Sequence, residues 1–224
     1  MRRIRSLKRR DGSRSTYFEL DELVTRIFSD TAPRAKVDTA YLFGETEDNE
    51  ASVLKAGVFL YGMGPARRIA ICDAPAGHGY PGFDNWRPKL VGMGVPAKDI
   101  CGVSLAGDFP PSTHAEALGL VRFAKKRGWK SVYVVAPPLH QLRAFVTTVS
   151  EVIKEKSKLS VYSFPGIAQN WEEHIVHSQG IQKGTRAELL AEELKKIEKY
   201  YKKGDLVSGE EVLKYLDKRD GAQN

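Results

Sequence analysis

Ser131-Val132-Tyr133-Val134-Val135-Ala136-Pro137-Pro138-Leu139-His140-Gln141-Leu142-Arg143 is the stretch that decides the fold. Its first six residues are uncharged and mostly β-branched or aromatic, the composition of a strand buried on both faces. Pro137 and Pro138 stop the strand, because neither can donate to a sheet ladder. Leu139 to Glu155 then reads as a helix. A buried strand that runs straight into a helix is half of a βαβ unit, which implies parallel pairing through right-handed crossovers.

The same rhythm extends outward on both sides. Val37–Phe43 reads as a strand ending at Gly44, and Asn49–Tyr61 as a helix closed by Gly62 and Gly64. Arg68–Cys72 is a short apolar strand, followed by a Gly/Pro-rich loop from Asp73 to Gly82. A helix is expected near Trp86–Met93, a strand at Ile100–Leu105, a helix at Thr113–Lys126 and a strand at Leu159–Phe164. Ahead of these, Phe18, Leu20, Leu23, Val24, Ile27 and Phe28 recur at helical spacing within Tyr17–Phe28. The class is α/β, an open, mostly parallel, doubly wound sheet of about five strands.

The C-terminal part changes character. Thr185–Lys203 sets Leu189, Leu190, Leu194, Ile197 and Tyr201 against dense Lys and Glu, with Gly204 as its cap. Ser208-Gly209-Glu210-Glu211 starts a last helix. Residues 185–224 are thus expected to be a helical extension of a single α/β domain spanning 16–224. Amphipathic terminal helices usually bury their apolar face on their own sheet, and the sharper alternative is a homo-oligomer surface.

Composition sets the outer limits. The chain has 224 residues, 42% hydrophobic and 28% charged, which excludes a wholly disordered or fibrous protein. The formal charge is +7, but Arg2, Arg3, Arg5, Lys8, Arg9 and Arg10 supply six of the positives, so the rest is close to neutral. Residues 1–15 are expected to be a basic, disordered arm. Nucleic acid is a disfavoured partner, because no nucleic-acid-binding signature accompanies the arm. The two cysteines, Cys72 and Cys101, lack metal-ligand spacing, which points to a reducing, cytoplasmic setting. No apolar run is long enough to span a membrane.

Ligands of open α/β sheets bind beyond the carboxyl ends of the strands, so the loops there hold the candidate chemistry. Gly44 allows a sharp turn before the acidic run Glu45 to Glu50, which offers a metal, a ribose or a helix N-terminus its negative charge. Asp73 and His78 are candidate acid–base or ligand groups in a glycine-rich loop. Ser112 precedes Thr113-His114-Ala115-Glu116, which has the spacing of a capping box and opens a helix able to hold an anion. His140 and Arg143, three residues apart, share the first turn of their helix. Two cationic-capable groups at the positive end of a helix dipole are poor structural choices, so they point to an anion site. His174 and His177, with Glu173, form only a weak candidate metal set, and no G-x-G-x-x-G or P-loop is present.

At these residues the chain resembles the YdcF/SanA/ElyC-like family, a widespread domain of unknown function. Asp38–Gly44 looks like the family's first strand with its terminal glycine, and Gly94-Val95-Pro96 through Ile100 like its "G-V-P…I" segment. Ser112–Ala117 looks like its "N-T-x-E-x-A" helix start, and Val134–Ala144 like its "V-T-x-x-x-H-x-x-R-A" signature. Cys72-Asp73-Ala74 stands where the family often has Ser-Gly-Gly, and Ser112 where it has asparagine. The resemblance implies a Rossmann-like fold, an enzymatic or ligand-binding role, and a link of some members to cell-envelope processes. His140, Arg143, Thr113 and Glu116 carry over as its functional residues.

The expectation is an enzyme, of transferase or hydrolase type, acting on an anionic small molecule. A nucleotide, S-adenosylmethionine or a sugar phosphate is the candidate ligand or cofactor. Arg143 clamps the anion, His140 binds it or moves protons, and Glu116 orients Thr113 or binds a hydroxyl. Ser112, Gly44, Asp73 and His78 complete the ligand-binding set, with no metal. Replacing Arg143 is expected to leave folding nearly unaffected. The alternative is a non-catalytic ligand-binding or assembly protein.

Overall fold

The computed structural model describes residues 16–106, 111–178 and 180–222. The expected basic arm lies outside them. In chain order the elements are α1 (Thr16–Phe28), β1 (Thr39–Leu42), α2 (Glu47–Gly62), β2 (Ile69–Cys72), α3 (Phe83–Gly92) and β3 (Ile100–Val103). They continue with α4 (Thr113–Arg127), β4 (Ser131–Val135), α5 (Pro138–Lys154), β5 (Ser160–Ser163), β6 (His174–His177), β7 (Gln182–Thr185), α6 (Arg186–Lys202) and α7 (Gly209–Gly221).

Five strands form one parallel sheet in the order β3-β2-β1-β4-β5. The alternation of each strand sorts its residues between two cores. Tyr41, Phe43, Val132 and Val134 meet α1, α4, α5 and α7 on one face. Ala40, Leu42, Tyr133 and Val135 meet α2 and α3 on the other. The expected doubly wound α/β class is therefore the one observed. The reversal of winding falls between β1 and β4, which pair directly, with Leu42 beside Val135.

Helix α5 is buried on nearly every side, from Leu139 through Val152. It packs against α4, α6 and α7 as well as the sheet. Gln141 straps its first turn to the strand ends: Oε1 accepts from Ala136 N–H at 2.7 Å, and Nε2 donates to Val134 O and Ser163 Oγ. The start of this helix therefore points into protein rather than water.

The edge strand β5 is covered by side chains. Val161 N–H donates to Tyr215 Oη at 2.7 Å, Arg219 donates to Val161 O, and Ser163 N–H donates to Asp30 at 2.8 Å. Arg219 also forms a buried ion pair with Asp30. Polar groups from α7 and the end of α1 thus replace the missing strand, which blunts an open edge.

Several expectations need correction. The hairpin β6-β7 has no counterpart among the expected elements, because Gln182-Lys183-Gly184-Thr185 has little strand propensity. Leu20 and Phe28 are exposed, since α7 covers only the Leu23 and Ile27 side of α1. The cap of α4 is Ser112, whose Oγ accepts from Ala115 N–H at 3.2 Å, so Thr113 and Glu116 make no capping box. True capping boxes open α6 (Thr185 with Glu188) and α7 (Ser208 with Glu211).

Gly119 sets how closely α4 approaches the chain leaving β3. A Cβ there would stand 2.4 Å from Ser104 O, a backbone atom that cannot rotate away. Alanine would gain about 1 kcal/mol of helix propensity, but overpacking against backbone costs about 1–3 kcal/mol or more. At Gly57 the clash, 2.7 Å, is with the Leu42 side chain, which can adjust. Denaturant unfolding should show Gly119→Ala destabilised, and by more than Gly57→Ala; equal or raised stability contradicts the packing.

Candidate functional site

The crevice at the winding reversal collects polar residues from five parts of the chain. Glu45 follows β1, Thr113 opens α4, His140 and Arg143 lie in the first turns of α5, His177 ends β6, and Glu193 and Lys196 come from α6. Ligands bind at this position in open α/β sheets because the diverging loops leave a gap there.

The side chains form a closed ring. Glu45 Oε1 lies 2.5 Å from His140 Nδ1, and His140 Nε2 lies 3.1 Å from Thr113 Oγ1. Arg143 Nη1 donates to the same Thr113 oxygen at 2.6 Å, and Arg143 Nε donates to Glu193 Oε2 at 2.5 Å. Glu193 Oε1 meets His177 Nε2 at 3.2 Å and accepts from Lys196 Nζ at 2.6 Å. His177 Nδ1 returns to Glu45 Oε2 at 3.7 Å. Since Thr113 Oγ1 already accepts from Arg143, its own proton is available to His140 Nε2.

Electrostatics follows from this geometry. Burial, then the charges of Glu193 and Glu116, pushes Glu45 well above the usual carboxylate range. Burial and the charge of Arg143 push His140 well below its ordinary value. Both shifts favour the neutral form of the group concerned, and the 2.5 Å contact between them is a hydrogen bond. Burial acts to raise Glu193, but Arg143, His177 and His140 outweigh it and hold that carboxyl well down. His177 is lowered by burial, partly offset by its bond to Glu193. Two cations, Arg143 and Lys196, thus share the Glu193 carboxylate, while Glu45 and Glu116 stand on the wall of the same crevice.

All residues of the ring except Glu193 line a cavity of about 120 Å³. A wider cleft of about 490 Å³, bounded by Glu47, Asp48 and Asn85, adjoins it through Thr46 and Tyr80. The smaller space holds about four water volumes, the size of a compact anionic group and far below a whole cofactor.

Of the residues read from the sequence, His140, Arg143, Thr113, Ser112, Glu116, Gly44 and His78 all line this cavity. Asp73 does not: its side chain packs against Gly102 on β3. Glu116 does not touch Thr113 as expected. Its Oε2 accepts from Tyr41 Oη at 3.0 Å and from Gly44 N–H at 2.9 Å. A Cβ on Gly44 would come within 3.2 Å of Glu116 Oε1 and 3.3 Å of the Tyr80 ring, so a side chain there would press on both. Ser112 reaches the cavity wall, but its hydroxyl is committed to capping α4. His174 and His177 fall on opposite faces of β6, His174 exposed and His177 buried, and cannot share one ion. Among the described residues, no group of three or more His, Cys, Asp or Glu side chains is arranged to hold a metal, and no helix is long and apolar enough to cross a membrane.

Glu45 stands in the sequence only as the first member of the acidic run, and Glu193 and Lys196 are absent from the candidates read there. Glu193 had a readable signal: it stands four residues after Leu189 and four before Ile197, on the apolar stripe of its helix, where a charge is out of place. Comparison with known proteins finds no matching family model, curated protein or solved structure.

Burial is the main reason that Glu116 is raised from 4.5 to about 7, against the lowering effects of Gly44 N–H, Tyr41 and Arg143. A group that binds its proton more tightly when folded contributes stability below its unfolded value, and loses it as pH rises through the folded one. That loss corresponds to roughly 3 kcal/mol between about pH 4.5 and pH 7. Glu116→Gln keeps an acceptor for Tyr41 and Gly44 but cannot ionise. Its stability relative to wild type should therefore rise between about pH 4.5 and pH 7. Equal pH dependence in urea titrations of the two proteins contradicts the assignment.

Proposed function

We propose that this chain is an enzyme acting on a small molecule that carries a compact anionic group, of the nucleotide or sugar-phosphate kind, bound at the carboxyl edge of the sheet. One observation carries the reading: the Thr113 hydroxyl sits on the cavity wall between His140 Nε2 and Arg143 Nη1, with His140 backed by Glu45. A carboxylate–imidazole–hydroxyl chain moves protons, and an adjacent guanidinium and ammonium attract negative charge. The anionic group occupies the small cavity, and the rest of the ligand extends into the cleft, where Glu47 and Asp48 can accept from hydroxyl or amino groups.

The reading also supports placing the chain among relatives of the YdcF/SanA/ElyC-like family. The H-x-x-R and T-x-x-E pairs on which that resemblance rests converge on one cavity. The reaction type, transferase or hydrolase, follows from whether water or a second substrate enters the cleft.

The test is a calorimetric and thermal-shift panel of inorganic phosphate, nucleoside monophosphates, sugar phosphates and S-adenosylmethionine. A ligand at a hundred times its dissociation constant should add about 2.7 kcal/mol to stability. Arg143→Lys retains a charge for Glu193 but loses the fork that reaches Glu193 and Thr113 together. Its affinity for the stabilising anion should fall roughly ten- to a hundredfold, the worth of one charged hydrogen bond. Arg143→Ala is the poorer probe. The expectation that it spares folding is overturned by the buried pair with Glu193, since removing one partner of such a pair costs about 3–5 kcal/mol. Undiminished binding by Arg143→Lys, or no response to any anion, refutes the proposal; binding with no turnover assigns a ligand sensor instead.

A further inference from the structure

We infer that Thr113 is a nucleophile that takes a phosphoryl group from its substrate and passes it to water. This rests on the reading above, that the cavity accepts an anionic group. Three features around Thr113 support it. Its Oγ1 is 3.1 Å from His140 Nε2, within reach of a base. That base is oriented from behind by Glu45 at 2.5 Å, so nucleophile, base and orienting carboxylate stand in sequence, the arrangement that activates a hydroxyl. And Arg143 Nη1 donates to the attacking oxygen itself at 2.6 Å, which stabilises negative charge as the proton leaves.

A purely structural threonine would not need this surrounding. Ser112, not Thr113, caps α4. The side chains that hold Thr113 are more than nine-tenths buried, whereas Thr113 itself is half-buried and opens on the cavity. The phosphoryl class follows from charge and size. Arg143 and Lys196 both line the cavity, Thr113 begins a helix whose positive end faces it, and the space of about 120 Å³ suits a phosphoryl group.

The step balances as follows. An electron pair on Thr113 Oγ1 forms the bond to phosphorus while the hydroxyl proton moves to His140 Nε2. The bond from phosphorus to the leaving oxygen breaks, and its pair departs with the leaving group, which takes the proton from His140 if it is an alkoxide; if it is a carboxylate, His140 releases that proton to bulk water. Water then attacks phosphorus, giving a proton to His140. The bond between Oγ1 and phosphorus breaks with its pair returning to Oγ1, which recovers a proton from His140. The sum is a phosphate ester plus water going to an alcohol plus phosphate, with no oxidant or reductant.

Acetyl phosphate tests this directly, because it offers a phosphorus and a carbonyl carbon in one small anion. The full chain is incubated with it, quenched in acid, and analysed by intact mass and peptide mapping, with inorganic phosphate binding measured separately by calorimetry. A phosphoryl adduct on Thr113 is expected in wild type and in Thr113→Ser, and none in Thr113→Val. The rate of adduct formation should fall about a hundredfold or more in His140→Gln, the contribution of a positioned base. An acetyl adduct on Thr113 overturns the phosphoryl assignment. Phosphate binding with no adduct, or an adduct mapped elsewhere, overturns the nucleophile and leaves the anion site standing. Failure of wild type to bind phosphate overturns both. Thr113→Ser guards against misfolding of the valine variant, since a serine that folds but takes no phosphoryl group also refutes the role.

Discussion

Arg143 can occupy its position only because Glu193 reaches it. The guanidinium lies at the start of a helix that is buried on nearly all sides, where the dipole already presents positive charge. An unpaired cation there would be several kcal/mol out of balance. Glu116, the nearest acid on α4, is tied to Tyr41 and to the backbone of Gly44. The counter-charge comes from α6, fifty residues further along the chain. That one pairing fixes where α6 must lie and brings Lys196 and His177 to the crevice with it.

The rest of the C-terminal segment follows from this constraint. Helix α6 begins from the hairpin β6-β7, and Arg186 at its start binds Asn49, Glu173 and the Asp48 carbonyl. Thr46 donates to Val176 O at 2.6 Å, and Asp48 accepts from Val176 N–H. The hairpin is thereby fastened to the start of α2, beside Glu45. The extension forms a wall of the site, and α7 separately covers the β5 edge through Tyr215 and Arg219.

A polar ring of this size is an expensive way to stabilise a fold. Well-packed apolar side chains of similar volume usually do as well as buried ion pairs, or better. Its members hold one another in fixed rotamers, so the Thr113 hydroxyl and both of its neighbours are positioned before any ligand arrives. Such preorganisation is what a reacting site requires and a core does not.

The sequence by itself determined the α/β class, the parallel strands and the helix starts that carry His140, Arg143, Thr113 and Glu116. Hydrophobic alternation, the paired prolines after β4 and the glycines after β1 and α4 are local signals, and local backbone physics answers to them. The same signals misassigned the cap of α4 by one residue and passed over the hairpin, whose strands are four residues long and poor in β-formers. Only the tertiary structure decided which side chains meet at the site. Nothing local to His140 names its partner, and the structure sets Glu45, from the loop after β1, 2.5 Å from its Nδ1. Arg143 could be read as a free clamp, and Glu193 shows it to be half of a buried pair. A side chain's protonation and its partners depend on what lies within a few ångströms, and those neighbours are brought there by the strand order and by the docking of α6, neither of which is written in any single stretch of the chain.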